Sequence, residues 1–485
     1  MVVGESIMDT SAMQALSRVD VAIIGGGIAG LVCAYRLRQC APDLSIALFE
    51  ASERLGGKAL TERIETDAGT FIVEAGPDSL LTQKPWGLEL VKELGLSDEV
   101  VPINSISPGV SVLKGGRLFP LPHGLVLLAP TAIGPFVRSR LLSVLGKGRV
   151  ALEMVLPAAK KDGDESLAAF VARRFGRETL DWLAEPLMAG IYNAEPERLS
   201  LLATFPQFRQ LERMHGSVIR GLRKTRRPSG NGRRGPAFVS LRGGMGRIAE
   251  ALALEVSGIA HCRAAVAALD AGAERGARLR LSNGRTVSAS VLVVATPAAQ
   301  AADLLSELSP RTSDALRALR TVNAGNLSFA VRSDAVQKPP PGYGVVIPRR
   351  EGRPINAVTF ASSKFPGRAP GGWTLIRAFF GGARSPQTME LDDAEVTRLI
   401  LDELRHLFGI SGEPAFVRIH RWPAGSPQYD VGHLERIAAI EQSLPPGVYL
   451  TGSAYRGVGI PDLVREAGRA AELALRYLRT RAPIA

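Results

Sequence analysis

VAIIGGGIAG, residues 21–30, organises the rest of this 485-residue chain. Val21 to Ile24 are apolar, mostly β-branched and few in number, the pattern of a fully buried strand. Gly25, Gly26 and Gly27 come next, then Ile28 and Ala29, and Gly30 completes a G-x-G-x-x-G spacing. Leu31 to Leu37 continue as a helix. A second apolar run, Ile46 to Phe49, ends at Glu50, twenty residues beyond Gly30. Each part has a physical role in holding a dinucleotide. Gly25 makes the tight turn, Gly27 lets a pyrophosphate reach the backbone, and Gly30 lets helix and strand pack closely. The helix N-terminus offers free N–H groups to phosphate, and Glu50 accepts hydrogen bonds from a ribose. A lone glycine motif is weak evidence; here strand, helix, second strand and acid all fall in place.

The loop after Glu50 selects the dinucleotide. ERLGGKAL (53–60) sets Arg54, Gly56, Gly57 and Lys58 just past the second strand. It resembles the arginine–glycine–glycine loop of FAD-dependent amine oxidases and their relatives. That resemblance implies FAD rather than NAD, with the pyrophosphate between this loop and the glycine turn.

Composition sets the bounds. A chain of this length forms two or three domains around ample cores. Apolar content of 46% and a mean hydropathy of +0.09 are slightly high for a soluble enzyme, yet no run of eighteen apolar residues occurs. Residues 1–17 read as a disordered lead-in, since no basic region precedes an apolar block. Cys33, Cys40 and Cys262 have no metal-ligand spacing, so no metal is expected; the cysteine usage points to a reducing cytoplasm. The net charge of +12 invites an anionic partner, but aromatics at 6% argue against nucleic acid. The densest basic cluster, RGLRKTRRPSGNGRR (220–234), reads as a mobile, solvated loop.

Along the chain, a hairpin is expected around Asp67-Ala68-Gly69, with Phe71 to Val73 as a strand and a sharp turn at Gly76-Pro77. Residues 85–205 read as mostly helical. Within them GLVLLAPTAIGPFV (124–137) is apolar but broken by prolines. With Arg138, Arg140, Lys147 and Arg149 nearby, it reads either as a membrane-surface segment or as a buried helical subdomain. Residues 165–192 give two helices divided near Gly176. Strand, glycine cluster and helix follow over 238–256, then a strand from His261 to Leu269. VLVVATPAAQAADLL (291–305) is a buried strand with Pro297 opening the next helix. Strands at 327–331, 344–347, 357–360, 374–380 and 415–422, with a helix at 392–408, make a large mixed sheet with a free face. Finally, Val448 to Thr451 form a strand, Gly452 ends it, and a helix with Pro461 in its first turn presents a second N-terminus.

Six stretches make the chain similar to the bacterial-type porphyrinogen oxidases of haem biosynthesis, nearly end to end. They are GGGIAG (25–30), EASERLGGK (50–58), EAGPDSLL (74–81), AGIY (189–192) with LSLLATFP (199–206), RWPAGSPQYDVGHLERI (421–437) and GSAYRGVGIPDLV (452–464). The first two are shared with all amine-oxidase-like flavoproteins; the others are more selective. The resemblance implies an α/β fold. A doubly wound, Rossmann-like FAD domain (18–84, 238–305, 441–485) is joined to a mixed-sheet substrate domain (206–237, 306–440) and a helical insert (85–205). It implies FAD contacts at Gly25 to Gly30, Glu50, Ala51, Arg54, Gly57, Lys58, Gly76, Pro77, Asp78, Ser79, Val266, Trp422, Gly452, Val458, Gly459 and Ile460. Lys84 falls near the family's basic residue for a substrate propionate.

The implied reaction moves hydride from a porphyrinogen bridge carbon to flavin N5, three times, with molecular oxygen as acceptor and peroxide as product. The cofactor carries this step, so no catalytic side chain is expected. The six histidines form no pair, and His433 is expected to make a structural hydrogen bond. Protoporphyrinogen and coproporphyrinogen both remain open as substrate. So do contact with a membrane surface or the next haem-pathway enzyme, and a homodimer. The competing readings are a flavin amine oxidase, a carotenoid desaturase, or a flavin-binding scaffold without activity.

Overall fold

The computed structural model describes residues 16–104, 109–126, 129–159, 163–225, 236–271 and 276–480. Most of the expected N-terminal lead-in (1–17) and most of the basic loop (220–234) lie outside these residues. Arg18–Ile24 sits inside a seven-stranded sheet. It pairs in parallel with Ile46–Phe49 on one side and with Thr286–Val294 on the other. Thr286–Val294 also carries the short C-terminal strand Val448–Leu450 along its second half, in parallel. Its first half pairs antiparallel with Ala277–Leu281, which in turn pairs antiparallel with Val266–Ala271 at the sheet edge.

Both faces of this sheet are covered, which is why its strands read as continuous apolar runs. Val21 and Ile23 face a core made with the helices Ile28–Cys40, Gly246–Glu255 and Ile460–Arg479. Ala22 and Ile24 face a second core built from the antiparallel strands and Ala298–Leu304. The terminal helix buries Ala467, Ala470, Ala471 and Ala474, small side chains that let it lie close against its neighbours. The single strand expected from His261 to Leu269 is two. Arg263 adopts a left-handed φ of +53° and donates its N–H to Ser52 O at 2.9 Å, so Ala260–His261 ends there and a new strand starts at Val266.

The second seven-stranded sheet runs Phe416–Pro427, Thr321–Arg332, Trp373–Gly381, Ala357–Phe360, Gly344–Val346, Val110–Lys114, Arg117–Pro120. Asp393–Phe408 covers one face with Val396, Ile400, Leu404 and Phe408. That helix starts in a capping box in which Asp392 and Glu395 each accept from the other's backbone N–H. The hairpin Thr61–Thr66/Gly69–Glu74 packs on the same sheet through Ile64, Phe71 and Val73 against Ala330 and Leu375.

Residues 85–205 are less helical than the sequence suggests, because much of 100–130 is extended. Val100–Pro102 pairs with Phe238–Leu241, and the hairpin Val110–Lys114/Arg117–Pro120 extends the large sheet by two strands. Its turn is Gly115-Gly116, both at positive φ (+56° and +71°), the residues a two-residue hairpin favours.

The remaining helices form a lobe from Ile133 to Thr225. Phe170, Phe205 and Phe208 stack in its core, and Gly176 (φ +94°) divides Leu167–Phe175 from the helix after it. Buried Glu153 lies at the start of Val218–Thr225. It accepts from Ser217 Oγ (2.6 Å), Val218 N (2.8 Å) and Arg174 Nε (3.0 Å).

Candidate active site

The glycine turn forms a cradle. Gly25 takes φ +106°, and its N–H binds Phe49 O at 2.8 Å. A Cβ on Gly30 would stand 1.9 Å from Gly25 O, so close packing excludes any larger residue there. Gly27 differs: a Cβ on it would meet no protein atom within 4 Å. It caps Ile28–Cys40, a helix with no side-chain cap and no acid in its first turn, so its N-terminal N–H groups stay available to an anion. Ile28 and Ala29 are buried in that first turn.

Gly27 pairs with Gly56, and Gly56 N–H binds Gly26 O at 2.8 Å. The 54–58 loop therefore roofs the turn. Gly57 (φ +56°) would put a Cβ 3.1 Å from Gly27 Cα, and Arg54 braces the loop by donating to Gly57 O at 2.8 Å. Glu50 accepts from Gly26 N at 2.7 Å and Ser52 N at 2.8 Å, leaving further lone pairs for ribose hydroxyls. Ala51 is exposed just beyond it, while Ala264 N–H binds Glu50 O and brings Val266 alongside. Thr296 Oγ1 and Thr451 Oγ1 are buried with no partner; Thr296 packs beside Gly25 and Thr451 precedes Gly452 (φ +131°). An open anion cradle, a ribose acceptor and orphaned hydroxyls fit FAD.

Ala75 to Ser79 form the second wall. A Cβ on Gly76 would stand 1.9 Å from Lys58 O. Ala75 O accepts from Asn326 Nδ2 and Trp422 Nε1, both at 2.9 Å, and Gly76 O accepts from Arg377 Nη2 at 2.7 Å. Pro77 rigidifies the turn, and Ser79 Oγ donates to Asp78 at 2.7 Å. Burial alone would raise the Asp78 carboxyl, but Lys364 (2.7 Å) and Arg377 outweigh it and hold its pKa at about 2. Lys58 reaches the substrate sheet by donating to Gly425 O at 2.5 Å, and burial lowers its pKa.

Three of the four more selective sequence stretches meet in one knot. Tyr429 OH donates to Ser453 O and accepts from Gly457 N, both at 2.7 Å. His433 Nε2 donates to Tyr455 O at 2.8 Å, its ring stacked 4.0 Å from that of Tyr429. Burial depresses the His433 pKa to about 4, so it stays neutral and structural. Gln428 Nε2 and Ser426 Oγ donate to Tyr192 O, each at 3.2 Å. Val458, Gly459 and Ile460 follow at the start of the terminal helix, whose N-cap Gly459 also lacks a side-chain cap. Half-buried Tyr192, Phe379 and Val458 pack on the core of the helical lobe.

Lys84 is not a free cation. Its Nζ binds both carboxylate oxygens of Asp462, at 2.6 and 2.8 Å. Lys84, expected near a substrate propionate, here meets a carboxylate of the protein itself, on the terminal helix. Asn326 and Arg377, inside strands, and Lys364, at the end of the short helix Ala361–Lys364, escaped the sequence reading, because single polar residues carry no local signal.

The cradle, its roof and the terminal helix define a flavoprotein, and the whole chain agrees. Residues 28–475 match the model of the flavin containing amine oxidoreductase family, and the chain belongs to that family. Among its relatives is the coproporphyrinogen III oxidase of Bacillus subtilis, 37% identical over 94% of this chain and 98% of that protein. Another, from Propionibacterium freudenreichii, is 34% identical over 94% of this chain and 90% of that one. A crystal structure from Exiguobacterium, assigned as a protoporphyrinogen oxidase, aligns with a TM-score of 0.83 and 30% identity, over 96% of this chain and 99% of that one.

Proposed function

We propose that this protein oxidises a porphyrinogen, coproporphyrinogen III in preference to protoporphyrinogen IX, to the aromatic porphyrin in haem biosynthesis. The observation that carries this reading is the 37% identity, end to end, to a coproporphyrinogen III oxidase. A chloroplast protoporphyrinogen oxidase from tobacco stands further off at 27%, with 93% of this chain and 84% of that protein aligned. FAD held in the cradle would supply the two-electron oxidation, the six hydrogens lost per ring being balanced by three O2 reduced to three H2O2.

The chain's part is placement. Gly27 and the 54–58 loop hold the pyrophosphate, and Glu50 holds the ribose. The Ala75–Ser79 loop and the terminal helix frame the ring system. Tyr192, Phe379 and Val458, half-buried on one core, are the side chains we assign to the apolar wall that a flat macrocycle requires. No side chain is assigned a proton transfer, and neutral His433 serves the knot through its Nε2.

The helical lobe supports a second element of the proposal, contact with an anionic membrane face. Val144 and Leu145 are 84% and 87% exposed, and Ile133, Val137 and Val155 more than half exposed. Arg138, Arg140 and Lys147 stand among them. Among the described residues no helix is long and apolar enough to cross a membrane.

The test is porphyrin fluorescence on adding each porphyrinogen in air, with peroxide measured alongside. A kcat/KM at least tenfold higher for coproporphyrinogen supports the reading. A yellow protein inert to both, or active on a simple amine, refutes it. Flotation with anionic vesicles, abolished by Leu145→Asp, tests the membrane contact.

A further inference from the structure

The terminal helix Ile460–Arg479 begins beside the glycine strand end, and Asp462 stands in its first turn. A carboxylate there cancels the positive end of the helix, which is the field that would favour an electron-rich ring. Yet Asp462 is only 7% exposed and held in place: a Cβ on Gly457 would come 2.4 Å from its Cβ. The charge is met from far away in sequence. Lys84, 378 residues earlier, closes on both of its oxygens at 2.6 and 2.8 Å. Arg465, the next cation on the helix, is engaged elsewhere, over the Trp86 ring and with Glu466.

We propose that Lys84 is a positioning residue whose task is to neutralise Asp462, so that the terminal helix keeps a positive field for the reduced flavin. This rests on the flavin reading of the site. Lys84 sits five residues past the wall loop and the helix borders the other side, so the pair also locks these two segments together. A reduced flavin gains negative charge, so an uncompensated Asp462 disfavours it, whereas an uncompensated Lys84 favours it.

The experiment is the two-electron midpoint potential of the FAD-loaded protein, by dye-coupled reduction, with KM measured beside it. Lys84→Met weakens binding of reduced relative to oxidised FAD about tenfold, a fall of about 30 mV. Asp462→Asn moves the potential the opposite way. Lys84→Arg leaves it near wild type, and the double variant Lys84→Met/Asp462→Asn returns both potential and KM toward wild type. An unchanged potential in both single variants overturns the inference. So does a raised KM in Lys84→Met that Asp462→Asn fails to repair, which makes Lys84 a substrate anchor. Wild-type protein that binds no FAD is a different result and sinks the flavin reading itself.

Discussion

Adding one methyl group at each of three glycines separates cofactor contact from backbone packing. Gly27 has φ −70° and ψ 177°, which any residue adopts, and its Cβ position is empty to 4 Å. Gly27→Ala therefore costs the apoprotein about 1 kcal/mol or less, the difference between Gly and Ala at a helix N-cap. Its methyl occupies the place through which a pyrophosphate reaches the helix N–H groups. Losing two charge-assisted hydrogen bonds at roughly 1.5–3 kcal/mol each weakens FAD about 100-fold or more, and Gly27→Val abolishes loading. Gly30→Ala and Gly76→Ala behave differently, because each methyl lands 1.9 Å from a backbone oxygen. Something must shift there, so the protein loses about 3 kcal/mol or more before any cofactor is added. Thermal unfolding of apoprotein and FAD titration by flavin fluorescence, run on all three, give the two readouts. Gly27→Ala binding FAD at wild-type affinity would refute the placement of the pyrophosphate. Gly30→Ala with wild-type apoprotein stability would refute the packing argument.

Arg377→Met leaves Gly76 O and Asn326 Oδ1 without their donor and removes one of the two cations facing Asp78. A loss of about 3–5 kcal/mol follows in chemical unfolding, with looser FAD binding. Glu153→Ala strips a buried carboxylate from Arg174 and from the start of Val218–Thr225. The same magnitude is expected, seen as early proteolysis of the helical lobe with the FAD spectrum of the remaining folded protein unchanged. His433 has its pKa depressed from 6.5 to about 4 by burial, so the unfolded chain binds the extra proton first. Stability conferred by its neutral form is complete above pH 6.5 and drains away as pH falls toward 4, by about 3 kcal/mol in all. A His433→Gln variant should show a flatter stability profile across that window, and an equally steep one would remove His433 as the cause.

What could be read from the sequence was local. Strand, glycine turn, helix and acid lie within thirty residues, and their spacings are geometric requirements of one another. The hairpin at Asp67, the break at Gly176 and the helix at 392–408 were visible for the same reason. Distant partners were not. Lys84 and Asp462 are 378 residues apart, and a lysine next to a wall loop carries no mark of which carboxylate it will meet. The strands between 100 and 130 were hidden by the leucine- and proline-rich composition after them. Val110–Lys114 pairs with Gly344–Val346, more than two hundred residues downstream, and Val100–Pro102 with Phe238–Leu241.

The three donors on the wall loop bear on how the domains work together. Asn326, Arg377 and Trp422 come from three adjacent strands of the second sheet, and all three end on two consecutive carbonyls beside the cofactor cradle. A sheet strand slipped by one residue would turn these side chains to the other face, so the register of the substrate sheet is tied to the position of the loop. The second sheet and the wall loop are therefore held as one body. Discrimination between porphyrinogens must then come from the part not tied in this way. That is the helical lobe, which is joined to the sheet at Tyr192 O by Ser426 and Gln428 but does not hold the wall-loop carbonyls, and which carries its own core. Substitutions within the lobe should shift the ratio of kcat/KM between four-propionate and two-propionate rings, while those at Arg377 or Trp422 lower both together.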